Sequence, residues 1–105
     1  MQIKEILDIN NISYSQQQSF SSLPNRRFDF CIFDENNQIL RLIEFDGEFH
    51  YIDKNYLKDN LNTRQQRDID KNNWCQENNI PLVRIPYWER DKITLEMILG
   101  DQYLI

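Results

Sequence analysis

The segment FDFCIFDENNQILRLIEFD, residues 28 to 46, carries the strongest structural pattern of this sequence. Aromatic and β-branched residues dominate its two halves, residues 28–34 and 39–46, and such side chains favour strands. The polar segment ENNQ between them, residues 35–38, has the composition of a tight connection. We therefore expect an antiparallel β-hairpin at the centre of the protein.

The register of this hairpin brings two acidic side chains together. If Asp34 faces Ile39 across the turn, antiparallel pairing sets Asp29 opposite Glu44, with both side chains on one face. Directly opposed residues have Cβ atoms about 4.5 to 5.5 Å apart, which lets two carboxylates hold one cation between them. The same register also predicts the facing pairs Arg27 with Asp46, Cys31 with Leu42, and Phe33 with Leu40.

A divalent metal is the economical partner for these two acids. Unpaired carboxylates beside an apolar core are costly, and their pKa values rise unless a cation compensates them. Mg²⁺ prefers carboxylate, carbonyl and water oxygens, which is the donor set that Asp29 and Glu44 offer. We therefore expect Mg²⁺, or Mn²⁺, at this end of the hairpin.

The rest of the chain predicts an α/β domain. The expected elements are a helix from Ile3 to Ile9, a strand at 12–20 followed by the breaker SSLPN, the hairpin, a helix at 62–78, a short strand in residues 82–87 stopped by Pro86, and a helix at 92–99. The second face of the hairpin is apolar apart from Arg41, so helices should cover both faces; its residues are Phe28, Phe30, Ile32, Ile43 and Phe45. We expect a small mixed central sheet flanked by helices, in the order helix-strand-strand-strand-helix-strand-helix.

Composition limits the class of protein. A chain of 105 residues, 40% of them hydrophobic, forms one domain, residues 1–105. Cys31 and Cys75 have no CxxC spacing, so we expect no disulfide or zinc site, and a reducing compartment. Without a signal peptide or a membrane-length apolar run, the expected location is the cytoplasm, of a host cell if the gene is viral, with no membrane partner. A net charge of −5 gives no prior for nucleic-acid binding, so any case for DNA rests on local charge.

Four blocks in a fixed order carry a family resemblance. They are FDF at residues 28–30, EFDGxxH at 44–50, RDxxKNxxC at 67–75 and LxRIPY at 82–87, and the resemblance as a whole extends from about Ile3 to Leu99. In this order and spacing they resemble the PD-(D/E)XK nuclease superfamily, in the branch of very-short-patch repair endonucleases and phage homing endonucleases of the EDxHD type. The resemblance implies a restriction-endonuclease-like fold and a single nuclease domain over residues 1–105.

The resemblance also implies which residues bind metal. Asp29 matches the metal-binding aspartate of the second strand, and Glu44 matches the acid of the third, with the carbonyl of Phe45 as a further ligand. Asp46 stands where the archetypal superfamily has its lysine, a departure that marks this branch, and it would complete or tune the catalytic site.

Three more residues are implied to be catalytic. His50 matches the histidine of the branch, a candidate general base or leaving-group contact. Asp68 and Lys71 match the RDxxK block on the long helix, where their i, i+3 spacing lets both face the sheet and lets Lys71 supply the missing positive charge. The alternative for this pair is an ordinary helical ion pair.

Basic residues flank the proposed site in sequence. If they gather on one surface they form a phosphate-binding patch, and the alternative is scattered solubilising charge. The candidate nucleic-acid-binding residues are Arg26, Arg27, Lys54, Lys58, Arg64 and Arg67. Trp74, Trp88 and Tyr87 are expected at the core or its edge, or stacked on a splayed base.

These features predict a metal-dependent DNA endonuclease that nicks or cleaves both strands, with specificity supplied by loops, by a homodimer or by a larger recognition partner. One departure bears on activity. The family pattern has a first-helix glutamate in its active site, and here Glu5 matches a solvent-side position instead. The alternative is therefore a catalytically inactive module of the same fold that binds nucleic acid or a protein.

Overall fold

A computed structural model describes residues 2–46 and 58–105, and side chains of the helix beginning at Lys58 are described from residue 66 onward. In chain order the elements are α1 (Ile3–Ile9), β1 (Tyr14–Phe20), β2 (Leu23–Phe33), β3 (Ile39–Phe45), α2 (Lys58–Glu77), β4 (Leu82–Ile85), a 3-10 helix (Tyr87–Lys92) and α3 (Leu95–Leu99). The predicted α/β class and element order are confirmed, with the 3-10 helix as an addition before α3.

The strands of the described residues form one mixed sheet in the order β1-β2-β3-β4. β1, β2 and β3 make an antiparallel meander, and β4 runs parallel to β3 after the crossover that contains α2. The outer edge of β4 is itself paired, because the Arg84 N–H donates to the Tyr103 carbonyl at 3.0 Å and the Ile105 N–H donates to the Leu82 carbonyl at 2.9 Å. The chain after α3 thus covers an edge that would otherwise be open.

The register of the central hairpin is as expected away from its turn. The pairs present are Phe30 with Ile43, Cys31 with Leu42, Ile32 with Arg41, and Phe33 with Ile39. The expected pairing of Phe33 with Leu40 is wrong, because the ladder shifts between Ile32 and Phe33. The cause is Asp34, which lies in the turn rather than in the strand: its Oδ1 accepts from the Asn36 and Gln38 N–H groups at 2.8 and 2.9 Å.

The expected loop SSLPN is shorter than its composition indicated. Only Ser21 and Ser22 form the turn, and β2 resumes at Leu23, opposite Phe20. The register then shifts, since Ser19 pairs with Arg27. Pro24 lies in this irregular stretch of β2, where a missing backbone N–H breaks no ladder bond.

The expected stop of the last strand at Pro86 is confirmed, because β4 ends at Ile85. An unexpected 3-10 helix follows, and it includes Lys92, where the last helix was expected to begin. α3 begins only after Thr94, whose Oγ1 accepts from the Met97 N–H at 3.3 Å as an N-cap. Apolar spacing alone therefore placed the start of this helix three residues too early, at Lys92 instead of Leu95.

One face of the sheet packs against α1 and α3. Its buried core consists of Ile3, Ile6, Leu7, Ile32, Ile43, Val83, Ile85, Ile93 and Ile98. Arg41 of β3, the one charged residue expected on this face, donates through Nη1 to the carbonyls of Ile98 and Gly100 at 3.1 and 2.9 Å. Its charge therefore caps the C-terminal end of α3.

The other face packs against α2. Its buried residues are Phe28, Cys31, Leu42, Trp74, Cys75 and Leu82. Phe28 was expected on the α1 face, which is wrong: its ring lies 6.0 Å from the Trp74 ring and 5.9 Å from that of Phe20. The β1–β2 ladder skips the rung between Gln17 and Asp29, and Gln17 has a φ of 52°, so the strands are distorted there.

No helix of the described residues is long and apolar enough to cross a membrane.

Asn37 at the hairpin turn gives a test of this geometry. Its φ of 64° is left-handed, a conformation that Asn and Gly tolerate better than other residues. We expect Asn37→Ala to lower the free energy of unfolding by about 1 kcal/mol and Asn37→Gly to leave it nearly unchanged. Urea unfolding measures both, and Asn36→Ala, at an exposed neighbour without positive φ, is the control. Equal loss in the two Ala variants would contradict the expectation.

Candidate active site

The two predicted metal ligands, Asp29 and Glu44, lie at the end of the β2–β3 ladder, where hydrogen bonds to side chains replace main-chain pairing. The Asp29 N–H donates to Glu44 Oε1 at 3.3 Å, and the Phe45 N–H donates to Asp29 Oδ2 at 2.7 Å. Each carboxylate thus accepts a main-chain N–H of the opposite strand. This reciprocal arrangement, which we call the acid pair, extends the hairpin by one rung and holds Asp29 and Glu44 side by side.

Glu44 is the more buried member of the acid pair, with 7% of its surface exposed. The Lys71 ammonium of α2 donates to Glu44 Oε1 at 3.0 Å. Burial, followed by the negative charge of Asp29, raises the pKa of Glu44 to about 7, although Lys71 and Arg84 act in the opposite direction. Glu44 therefore changes charge near neutral pH, and any cation that approaches Asp29 and Glu44 favours its ionised form.

The donor set of the acid pair fits a hard divalent cation. Asp29 and Glu44 present carboxylate oxygens from adjacent strands, and Mg²⁺ is commonly held by one or two carboxylates together with waters. Among the residues that the structure describes, no group of three or more His, Cys, Asp or Glu side chains is placed to hold a metal. The cost of burying the acids does not by itself require a metal, because Lys71 and two main-chain N–H groups already compensate them.

Arg84 of β4 organises a second cluster, which the sequence analysis missed. It is 9% exposed, and its Nη1 donates to Asp46 Oδ1 at 3.0 Å and to Asp68 Oδ1 at 3.3 Å. Its Nε and Nη2 donate to Asn72 Oδ1 at 3.1 and 2.9 Å, and Nη2 also reaches the Asp68 carbonyl at 3.3 Å. A single charged residue inside the apolar strand LVRI is the signal that could have indicated this role.

Asp68 and Lys71 of α2 both face the sheet, as their spacing allows. Lys71 bonds Glu44 on β3, whereas Asp68 bonds Arg84 on β4. The two residues therefore make separate ion pairs with two strands, which differs from the ordinary helical ion pair considered as the alternative. Lys71 also lies 5.4 Å from the centre of the Phe28 ring, a favourable place for an ammonium.

Part of the predicted basic patch gathers beside Lys71. A groove of about 400 Å³, which we call the basic groove, is lined by Asn25, Arg26, Arg27, Arg67 and Lys71. Arg26 forms an ion pair with Asp70 of α2 at 2.8 Å, and Asp70 also accepts from the Gln66 side chain.

Arg27 was expected opposite Asp46, but in the structure Asp46 forms an ion pair with Arg84, and the Asp46 N–H donates to the Ile85 carbonyl at 3.0 Å.

Other predicted residues are placed elsewhere or lie outside the description. His50 and Lys54 fall within residues 47–57, and the side chains of Lys58 and Arg64 are likewise not described. Glu5 is exposed on α1, as expected of a solvent-side position. Trp74 is in the core and donates through Nε1 to Ser22 at 3.0 Å, but Trp88 is 53% exposed and packs edge-on against Tyr87.

The cysteines add no chemistry to the site. Cys31 and Cys75 are both free and buried in the core beneath α2. Burial raises the pKa of each thiol to about 11, so both are protonated at neutral pH and neither is an effective nucleophile.

The fold and the site define a mixed α/β domain with two adjacent carboxylates at the end of its central hairpin. The chain belongs to the family described as "Protein of unknown function (DUF2726)", whose model matches residues 1–98. No curated protein and no solved structure matches the chain. The description of the family states no activity.

The raised pKa of Glu44 predicts a pH-dependent stability. Above the ordinary value of 4.5 the unfolded state loses its proton first, so the protein loses stability as pH rises from 4.5 to about 7. We expect Glu44→Gln to remove this loss and, relative to the wild type, to gain up to about 3 kcal/mol between pH 4.5 and 8 in metal-free urea unfolding. Glu35→Gln, at an exposed turn position, is the control and should show no such gain. A pH-independent difference would contradict the burial of an ionisable Glu44.

The Arg84 cluster predicts a large cost for losing one guanidinium. Arg84→Met removes the buried guanidinium that pairs with both Asp46 and Asp68, so the free energy of unfolding should fall by about 3 to 5 kcal/mol. Arg26→Met removes the more exposed pair with Asp70 and should cost less than about 1 kcal/mol. Urea unfolding at pH 7 compares the two, and equal losses would show that Arg84 does not organise the fold.

Proposed function

We propose that this protein is a metal-dependent DNA endonuclease with a restriction-endonuclease-like fold. The observation that carries the proposal is the acid pair, in which carboxylates of adjacent strands are held together at the end of a sheet with Lys71 beside them. The mixed sheet, with helices on both faces and a parallel strand after a helical crossover, is compatible with that fold. The family resemblance of the sequence blocks supplies the activity and the substrate class.

In this proposal Asp29 and Glu44 hold Mg²⁺ or Mn²⁺. The bound ion would polarise a scissile phosphate and lower the pKa of a coordinated water. Lys71 adds positive charge next to the ligands, where negative charge develops on the phosphate. Asp46 and Asp68 tune the site indirectly in this proposal, through Arg84, which holds their carboxylates in place between β4 and α2. His50, outside the described residues, is the proposed general base or leaving-group contact.

The basic groove supports a nucleic-acid substrate. Arg26, Arg27 and Arg67 line it together with Lys71, the same residue that bonds Glu44. A phosphate chain bound in this groove therefore lies next to the acid pair. Lys54, Lys58 and Arg64 are proposed to extend the contact. Sequence specificity would come from loops, a homodimer or a larger recognition partner.

The alternative proposal is a module of the same fold that binds nucleic acid or a protein without cleaving. The ion pair between Lys71 and Glu44 favours it, because this pair compensates the acid without a metal. The exposed position of Glu5 favours it as well, since the family pattern places an acid of the first helix in the active site. A binding module need not respond to Mg²⁺, so metal titration separates the two proposals.

Cleavage of supercoiled plasmid, linear duplex and single-stranded DNA tests the endonuclease. We expect cutting with Mg²⁺ or Mn²⁺, none with EDTA, and a loss of about 10² to 10³-fold in rate for Asp29→Asn and for Glu44→Gln, because each removes a metal-binding charge. Glu35→Gln is the matched control, at an exposed turn position of the same hairpin, and should cleave normally.

Two results would reject this proposal. One is the absence of cutting of every DNA form by folded protein that still binds the metal. The other is cutting that survives in both acid-pair variants, because activity would then come from elsewhere or from a contaminant. The first result would favour the binding module.

A further inference from the structure

A second cavity adjoins the acid pair on the α1 side of the sheet. It has a volume of about 530 Å³, within the range of roughly 300 to 1,000 Å³ that small-molecule sites occupy. Phe30 and Phe45 contribute aromatic surface, and Ile3 and Ile93 contribute aliphatic surface. Asp29 lines the same cavity, so its wall includes one member of the acid pair. We call this cavity the amphipathic pocket.

The polar lining of the amphipathic pocket is different in kind from that of the basic groove. It contains the amides of Gln2 and Gln17, and the charges of Arg90, Asp91 and Asp29. Two carboxylates against one guanidinium disfavour a phosphate. Side-chain amides both donate and accept hydrogen bonds, and this is the chemistry that reads the edges of nucleobases. Aromatic surface beside such groups suits a planar heteroaromatic ring.

Gln17 gives an independent indication that this surface is shaped for a ligand. Its φ of 52° is unfavourable for a residue with a Cβ, and the neighbouring rung of the β1–β2 ladder is missing. Such backbone outliers cluster at ligand-binding sites, where the surrounding structure maintains them. The distorted residue lies on the wall of the pocket together with Asp29, with which it makes no pair in the β1–β2 ladder.

The acid pair joins the two cavities. Asp29 lines the amphipathic pocket and its N–H bonds Glu44, while Glu44 bonds Lys71, which lines the basic groove. A strand that crosses the acid pair therefore has cationic side chains on one side of it and a pocket of amides and aromatic rings on the other.

We propose that the amphipathic pocket binds one nucleobase of the strand whose phosphates lie in the basic groove. This inference rests on the proposed function and specifies its substrate. A base can enter the pocket only when it is out of the helical stack, so the preferred substrate is a strand with an unstacked base: a single strand, a flap or a mismatched site. Intact duplex binds through its phosphates alone.

Binding to base-bearing and abasic strands tests the proposal without any cleavage. In EDTA, fluorescence anisotropy compares oligodeoxyadenylate with a fully abasic strand of the same length, which carries the same phosphates. We expect the wild type to bind the base-bearing strand about tenfold more tightly, a factor typical of one stacked base. Gln17→Ala keeps the Cβ and the backbone strain but removes the amide, so most of this preference should be lost.

Gln16→Ala is the matched control, since Gln16 is an exposed neighbour on β1 that does not line the pocket, and it should keep the preference. Equal wild-type affinity for the two strands overturns the proposal, and so does a preference that survives in Gln17→Ala. A preserved base preference without Mg²⁺-dependent cleavage would reject the endonuclease alone. Cleavage with equal binding of the two strands would reject the pocket alone.

Discussion

The structure depends on how two carboxylates are accommodated at the end of a buried hairpin. Asp29 and Glu44 sit where the ladder of β2 and β3 would expose two unpaired N–H groups, and each acid accepts one of them. These two bonds satisfy the main-chain N–H groups and the carboxylates together, and either group would be costly to bury without a partner. Lys71 then compensates the charge of Glu44. The pKa of Glu44 nevertheless rises to about 7, so the compensation is incomplete.

The same requirement explains how α2 is attached to the sheet. α2 is a polar helix whose buried apolar residues, in the described part, are Trp74 and Cys75. Its position is specified further by ion pairs, from Lys71 to β3 and from Asp68 to Arg84 on β4. Buried ion pairs contribute little net stability compared with apolar packing. They do, however, fix which residues of α2 meet which strands, and this brings the basic groove next to the acid pair.

The fold could be predicted from local patterns because its central hairpin is strongly patterned. Alternating apolar residues on either side of one polar turn predicted correctly that residues 30–32 pair with residues 41–43. The apolar second face of the hairpin predicted correctly that helices cover both faces of the sheet. The prediction failed where a single residue changed the geometry. The side chain of Asp34 accepts hydrogen bonds within the turn, and the ladder shifts next to it. At Gln17 the positive φ marks a distortion of β1, and close to it Phe28 packs on the α2 face of the sheet. Neither effect has a periodic signal.

The site was predictable to the extent that its residues are close in sequence or matched a motif. The proximity of Asp29 and Glu44 followed from the hairpin register, whereas Arg84 was missed because its partners come from two separate segments, the end of β3 and α2. Only the packing of β4 on α2 brings Asp46, Asp68 and Asn72 around one guanidinium. A charged residue in a fully buried strand was the available indication, and it identifies no partner.

An acidic protein can still offer a phosphate-binding surface if its charges are separated. The chain carries a net charge of −5, yet three arginines and Lys71 line the basic groove, and the acid pair contacts it through the bond between Lys71 and Glu44. In the proposed function, long-range attraction of DNA would therefore be weak, and binding would depend on short-range contacts at the groove and pocket. Lys71 belongs to both regions, so a phosphate in the groove competes with Glu44 for the same ammonium. Occupation of the groove would then weaken the pair between Lys71 and Glu44 and leave the Glu44 carboxylate available to a divalent cation, which couples substrate binding to metal binding through one side chain.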